Sequence, residues 1–377
     1  VSDLFLSDDP PPRRSRPRWV DGIGLGALVL GIVAIGVLGD RGSSDRTPAP
    51  ATTTSTTSPF RRGTHYSSTT TAPEPSTTVV VQQLPDAGIP EPTRSVVLLS
   101  SGGSVILVDV DRATVERLPV ASGGGMLGVD EGFVLPAGDR FQVLPSHGLP
   151  ATTVEVDEVG LLTGQLLASG PHAFWAVSGG DSGGRAVELD TAGGRTGRRV
   201  EVPSGHYVAG VLDAGLVLGG HGSLTFVDGT TGRRRALGTG DLLAVGGRWI
   251  VRQSCEVLVC RVELVETTTG QARLLPALPA EDGYLQLGKL SPDGRWLAAS
   301  FAQGAGGLRL SVVHLADRRT WTIEVDGRAP FEFSPDGKVL FVPRDGDLCA
   351  YETSSGLPHC LAISQPSVLM LAVAPAP

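Results

Sequence analysis

Apolar residues are distributed along this chain in two ways. From Gly22 to Gly39 they form one run without a charged side chain, whereas beyond about Ser95 they come in short blocks parted by turn residues. The first pattern predicts a membrane-crossing helix. Eighteen residues at about 1.5 Å each span roughly 27 Å, close to the hydrocarbon thickness of a bilayer. Arg13, Arg14, Arg16 and Arg18 precede the run, which favours an N-terminus held in the cytoplasm and everything later exported. A cleaved signal peptide fits less well. Leu38-Gly39-Asp40-Arg41 follows directly, and the nearest Ala-x-Ala, Ala49-Pro50-Ala51, lies well downstream.

Between the two patterns, 41–94 has almost no hydrophobic periodicity. Runs such as Thr52-Thr53-Thr54-Ser55-Thr56-Thr57 and Ser67-Ser68-Thr69-Thr70-Thr71 bury too little apolar surface to offset chain entropy, so a disordered tether is expected. Within it, Val79–Gln82 is a candidate short strand for the domain beyond. The expected organisation is a cytoplasmic tail over 1–20, a transmembrane helix over 21–40, a Thr/Ser/Pro-rich linker over 41–94 and a folded domain over 95–377.

The second pattern repeats. Phe226-Val-Asp-Gly-Thr-Thr-Gly232, Leu264-Val-Glu-Thr-Thr-Thr-Gly270 and Ala350-Tyr-Glu-Thr-Ser-Ser-Gly356 each end a strand in an acid, a Thr/Ser turn and a glycine. Asp111, Asp190 and His314 stand at the same place in weaker copies. Asp190, Asp228 and Glu266 recur at intervals of 38 residues, and so do His314 and Glu352. The step from Glu266 to His314 is 48, a unit with a longer loop. The interval from Asp111 to Asp190 is 79, two units with a degenerate copy near Pro145-Ser-His-Gly148. Periods of this size with strand and turn signals alone predict propeller blades. The expected fold is all-β, a seven-bladed β-propeller of four-stranded blades. The first unit, from Ser95, lacks one strand, which Ser367-Val-Leu-Met-Leu-Ala-Val373 supplies, closing the ring. Val208–Val211 and Asp241–Val245 read as inner strands. Alternation within strands is weak, as befits sheets buried on both faces.

Two units carry a more specific turn, Leu290-Ser-Pro-Asp-Gly-Arg-Trp296 and Phe333-Ser-Pro-Asp-Gly-Lys-Val339. This turn with its flanking hydrophobics resembles the TolB-type propeller repeat, a relative of the tryptophan–aspartate repeats. The resemblance covers two blades well and the rest weakly. It implies a propeller, an extracytoplasmic setting and protein–protein binding. TolB-type proteins have a separate N-terminal domain and a cleaved signal where this chain has the uncharged run and tether, so their particular partners are not implied.

The four cysteines fall into two hairpin-like pairs. Cys255 and Cys260 flank a short turn, and Cys349 and Cys360 centre on Ser354-Ser355. Directly opposed strand residues come within disulfide range, so two hairpin disulfides are expected in an oxidising compartment. A zinc site wants closer Cys/His spacings, which only one pair offers.

Gly180-Asp-Ser-Gly-Gly184 matches nucleophile motifs, but it lies between two strand patterns rather than between a strand and a helix. It reads as a glycine hairpin. Gly123–Met126 lacks the Lys and Ser/Thr of a phosphate loop. The repeated acids suit turn capping. The seven histidines are scattered without metal-like spacing, although His206 and His221 are candidates to face a central channel. No catalytic residue, cofactor or metal is therefore expected.

Net charge is −8, which argues against nucleic-acid binding. Arg195, Arg198 and Arg199, with Arg233, Arg234 and Arg235, form two local basic clusters that make a patch if their blades adjoin. The expected function is a membrane-anchored, single-pass propeller of the bacterial cell envelope that binds or scaffolds an envelope protein. A propeller hydrolase or lactonase and an envelope ligand sensor are the alternatives.

Overall fold

The computed structural model describes residues 80–84 and 92–377, apart from short segments at 102–103, 121–124, 138–139, 148–149, 156–163, 181–182, 194, 213–214, 257–258, 276–277, 279–284, 303–307, 326–328 and 366. The tail, the transmembrane helix and most of the linker expected from sequence lie outside the described residues. Among the described residues no helix is long and apolar enough to cross a membrane.

Among the described residues twenty-nine strands form seven antiparallel sheets. Blade I contains β1 (Val80–Gln83), β2 (Ser95–Ser101), β3 (Ser104–Asp109) and β4 (Thr114–Leu118). Blade II is β5 (Leu127–Val129), β6 (Gly132–Ala137), β7 (Arg140–Pro145) and β8 (Thr152–Glu155). Blade III is β9 (Gln165–Gly170), β10 (Ala173–Gly180), β11 (Gly183–Asp190) and β12 (Arg195–Val202). Blade IV is β13 (Tyr207–Leu212), β14 (Gly215–Gly220), β15 (Ser223–Asp228) and β16 (Arg234–Thr239). Blade V is β17 (Asp241–Gly246), β18 (Trp249–Glu256), β19 (Val259–Glu266) and β20 (Ala272–Leu274). Blade VI is β21 (Leu285–Leu290), β22 (Trp296–Ala302), β23 (Leu308–His314) and β24 (Thr320–Val325). Blade VII is β25 (Glu332–Phe333), β26 (Val339–Arg344), β27 (Asp347–Glu352) and β28 (Pro358–Leu361). The last strand, β29 (Met370–Pro375), returns to blade I and pairs with β2 from Ser95↔Pro375 to Ser100↔Met370.

The seven-bladed ring and its closure by the C-terminal strand follow the sequence expectation. Blade I departs from four strands. Its order is β1-β4-β3-β2-β29, because the short strand within the linker region docks on β4 from Val80↔Arg117 to Gln83↔Thr114. N-terminal and C-terminal strands thus occupy opposite edges of one sheet.

Packing explains the weak alternation. Seven buried clusters each span one blade-to-blade seam. Val97 and Leu99 face blade VII beside Phe341 and Leu348, whereas Val96 and Leu98 face blade II beside Phe133 and Leu135. Leu216 and Leu218 face blade III, and Val217 between them faces blade V. Successive residues of a strand point to opposite faces, and here both faces are core, so apolar residues run on without a polar partner.

Turn chemistry sets the repeat. Gly232, Gly270 and Gly356 each donate a backbone N–H to the carbonyl of the acid four residues earlier, Asp228 (2.9 Å), Glu266 (2.8 Å) and Glu352 (2.7 Å). Each has φ near +70°, where a side chain is strained and glycine is not. The acids cap these turns as expected. Asp228 Oδ1 accepts from the Thr231 N–H at 2.6 Å, and Glu266 and Glu352 accept from the Thr269 and Ser355 hydroxyls at 2.8 and 2.7 Å. In blade I the sequence alignment slips. The register Val96↔Asp109 matches Trp249↔Glu266, so Asp109, not Asp111, holds the repeat position. Asp111 instead accepts from the Thr93 and Arg94 N–H groups at 2.6 and 2.8 Å, fixing the chain as it enters β2.

The two Ser-Pro-Asp-Gly turns share one design. Ser334 Oγ donates to Asp336 Oδ1 at 2.7 Å and accepts from the Val339 N–H at 3.0 Å. Ser291, Asp293 and Trp296 repeat this at 2.6 and 2.9 Å, and both serines are fully buried. Ser334→Ala leaves a backbone N–H without its partner, and is expected to cost about 1–3 kcal/mol, read as a lower urea midpoint at unchanged m-value.

Candidate functional site: the closing seam

The meander places the turns between first and second strands, and between third and fourth strands, on one face of the ring. On that face neighbouring blades are fastened by a recurring contact. The outer strand of one blade sends a donor to the carbonyl that follows the turn acid of the next. Arg235 Nη1 donates to the Thr267 carbonyl, Arg273 Nη2 to Leu315 at 3.0 Å and Trp321 Nε1 to Thr353 at 2.9 Å. In blade III the backbone N–H of Arg199 reaches the equivalent Gly229 carbonyl at 3.4 Å. The three side-chain donors, Arg235, Arg273 and Trp321, stand at the 38- and 48-residue intervals of the repeat.

The same position in blade VII is His359. Its Nε2 is buried and makes no hydrogen bond, and the Glu352 carboxylate stands 3.7 Å away. Among the described residues the seam between blade VII and blade I shows no such fastening, and two adjoining clefts open beside it. One, of about 510 Å³, runs from blade VI across blade VII to Pro92 and Thr93. The other, of about 550 Å³, lies between blade VII and Pro92–Arg94 with Pro375.

The first of these clefts carries cations and anions in equal number, Arg295, Arg319 and Lys338 against Asp293, Asp336 and Glu352. Its pairs are loose or exposed. Arg295 Nε is 3.6 Å from Asp293 and Lys338 Nζ 3.9 Å from Asp336, and both cations are about 70% exposed. Such pairs contribute little to stability and exchange partners readily. Arg319 and His314 both engage Asp317, at 2.7 and 2.6 Å. Desolvation raises the Asp317 carboxyl, but the Arg319 N–H, then His314 and the Arg319 guanidinium, outweigh it and hold the pKa at about 2. Trp296 packs its ring 4.6 Å from His314 as the cleft floor.

Nothing in the sequence pointed to this cleft. Pro92 and Thr93 are brought to blades VI and VII only by ring closure.

The arginine clusters approach one another through Arg199 and Gly229, and three of their six arginines are engaged locally. Arg198 pairs at 2.9 Å with Glu188, whose side chain is 2% exposed. Arg199 and Arg185 share Glu201 at 3.0 and 3.2 Å. Arg235 lies over the Phe226 ring at 5.4 Å as well as on Thr267. Arg233 and Arg234 remain exposed, and the Arg195 side chain lies outside the described set. Cys255 and Cys260 face one another across β18 and β19, and Cys349 and Cys360 across β27 and β28. Both pairs lie at disulfide distance with Cα atoms 4.0 Å apart. Asp181 and Ser182 of the Gly-Asp-Ser-Gly-Gly motif lie outside the described residues. The flanking strands β10 and β11 pair as the hairpin expected there. Among the described residues no group of three or more His, Cys, Asp or Glu side chains is gathered as for a metal ion.

No family model and no curated protein matches this chain. Solved propellers do. TolB from Acinetobacter baumannii is 13% identical over 75% of this chain and 83% of its own, with a TM-score of 0.46. Apo AztD from Citrobacter koseri is 9% identical over 74% and 96%, with a TM-score of 0.48. An oligogalacturonate lyase in complex with manganese is 12% identical over 75% and 89%, with a TM-score of 0.50. At these identities the likeness is one of fold alone, that of the seven-bladed β-propeller described above.

Proposed function

We propose that this chain is a membrane-anchored, extracytoplasmic propeller that binds a protein of the cell envelope through the clefts at its closing seam. The mixed-charge cleft carries the reading. A surface with three cations and three carboxylates, two of the cations in loose pairs, complements another protein's mixed surface, whereas a uniformly anionic polymer would meet its carboxylates. Electrostatic matching of this kind sets specificity and register more than raw affinity. The placement outside the membrane rests on the uncharged run 22–39 behind its arginines and on two cysteine pairs at disulfide distance.

The test is a photo-crosslinking residue in place of Arg295 in the full-length chain, in its own membranes. A control probe replaces exposed Thr269 on blade V. One envelope protein is expected from position 295 alone, and Lys338→Glu should reduce its capture severalfold. The same product from both positions, or none from 295, contradicts the proposal.

A further inference from the structure

On the opposite face of the ring, two histidines far apart in sequence come together. His206 ends the connection from β12 to β13, and His221 forms the tip of the β14–β15 hairpin. Strand pairing Tyr207↔Gly219 sets them side by side, with ring centroids 5.4 Å apart and planes at 81°.

Four observations single out this pair. The separation suits a shared ion. With metal–nitrogen bonds of about 2.0–2.1 Å, two imidazoles on a tetrahedral centre have ring centroids roughly 5 Å apart. His206 Nδ1 lies 3.2 Å from the Ser204 carbonyl. A carbonyl only accepts, so Nδ1 carries the proton and Nε2 keeps its lone pair, as in metal-binding histidines held by a backbone carbonyl. The backbone makes room for both rings. A Cβ at Gly205 would stand 2.8 Å from His221 Nε2, and one at Gly220 would stand 2.7 Å from His206 Cδ2. Finally, His221 and Gly222 have φ of +51° and +70°, a two-residue turn that favours Asn-Gly or Asp-Gly. Blade VII uses Asp345-Gly346 there, at +53° and +89°. With Asn and Asp, histidine is among the non-glycine residues that take this left-handed conformation most often, at some cost in strain.

We infer that His206 and His221 form a two-histidine site for a divalent transition ion of the zinc–copper class, with water in its remaining coordination positions. A cleft of about 260 Å³, lined by Gln165, Ser178, His206 and Tyr207 but not by His221, lies beside the His206 ring. Imidazole is the ligand such borderline ions prefer. The site stands apart from the closing seam and does not depend on the protein-binding proposal.

The experiment is calorimetric titration of the untagged full-length chain in detergent with zinc chloride near neutral pH, repeated on His206→Gln and His221→Asn. Asparagine suits the turn, so His221→Asn removes the imidazole and keeps the hairpin. Thermal melts of the apo proteins confirm folding, and if one variant melts early the other decides. About one equivalent of zinc is expected, with affinity falling at least tenfold in either folded variant. No binding by the parent chain, or unchanged affinity in the folded variants, overturns the assignment.

Discussion

A chain ending after Gln365 is expected to show no cooperative unfolding transition and to aggregate. The removed strand β29 is the inner edge of blade I, paired with β2 over six residues. Its side chains serve two seams at once. Val373 joins the cluster between blades VII and I, with Leu371 packed beside it, while Ala372 and Ala374 are buried between blades I and II. Each large apolar side chain returned to water costs about 1.5–3 kcal/mol. The loss also strips two adjacent interfaces and leaves β2 as a bare edge. Together these approach the 5–15 kcal/mol or so that holds a typical domain folded. An exposed edge of Val96, Val97, Leu98 and Leu99 is moreover a template for pairing with other copies. Removing β1 instead takes away four residues at the opposite edge and should leave a cooperative, less stable ring. Urea titration with sedimentation separates the two outcomes.

Arg198→Met is expected to be the most damaging single change among the charged residues named above. The Glu188 carboxylate accepts from Thr196 Oγ1 at 2.5 Å, from Arg198 Nη1 at 2.9 Å and from Ser169 Oγ. It is buried in β11, and Arg198 is its charge partner. Removing one member of a buried pair leaves an uncompensated charge, at a cost of about 3–5 kcal/mol. Arg198 is itself 34% exposed, so water reaches the gap and the lower end applies. The double variant Glu188→Leu with Arg198→Met should recover much of the loss, because no charge then remains buried. A double variant no more stable than Arg198→Met alone would show that the guanidinium acts through packing.

The Arg198 case shows how sequence and structure divide the information. Strand ends, turns and blade period were legible because they depend on local chemistry: an acid, two hydroxyl residues and a glycine at fixed spacing, or Ser-Pro-Asp-Gly. The place of Arg198 was not, since only the β11–β12 pairing, with its shift between Val187 and Leu189, puts a surface-like arginine against a buried glutamate. The Asp111 alignment failed for a related reason. Asp109-Val-Asp111 offers two acids to one turn position, and only the pairing Val96↔Asp109 chooses between them. Arg318 shows the opposite tolerance. It holds the turn position that glycine takes elsewhere, at φ +63°, with its N–H bonded to the His314 carbonyl at 2.9 Å, so a glycine-based repeat search passes over blade VI.

Both candidate sites were hidden in the same way. His206 and His221 are 15 residues apart with a strand pair between them, a spacing that matches no metal motif. The closing-seam clefts join Pro92 to Asp336 and Lys338, residues more than 240 positions apart. Long-range sites of this kind become visible when the ring closes.

Ring closure is therefore the claim on which the rest depends, and amide hydrogen exchange across 95–101 and 370–375 measures it directly. A closed ring predicts that both segments exchange together, as slowly as central strands such as β14 and β22. Rapid exchange over 370–375, with the other strands protected, would mean that the last strand is not paired with β2 and that the seam described here does not form.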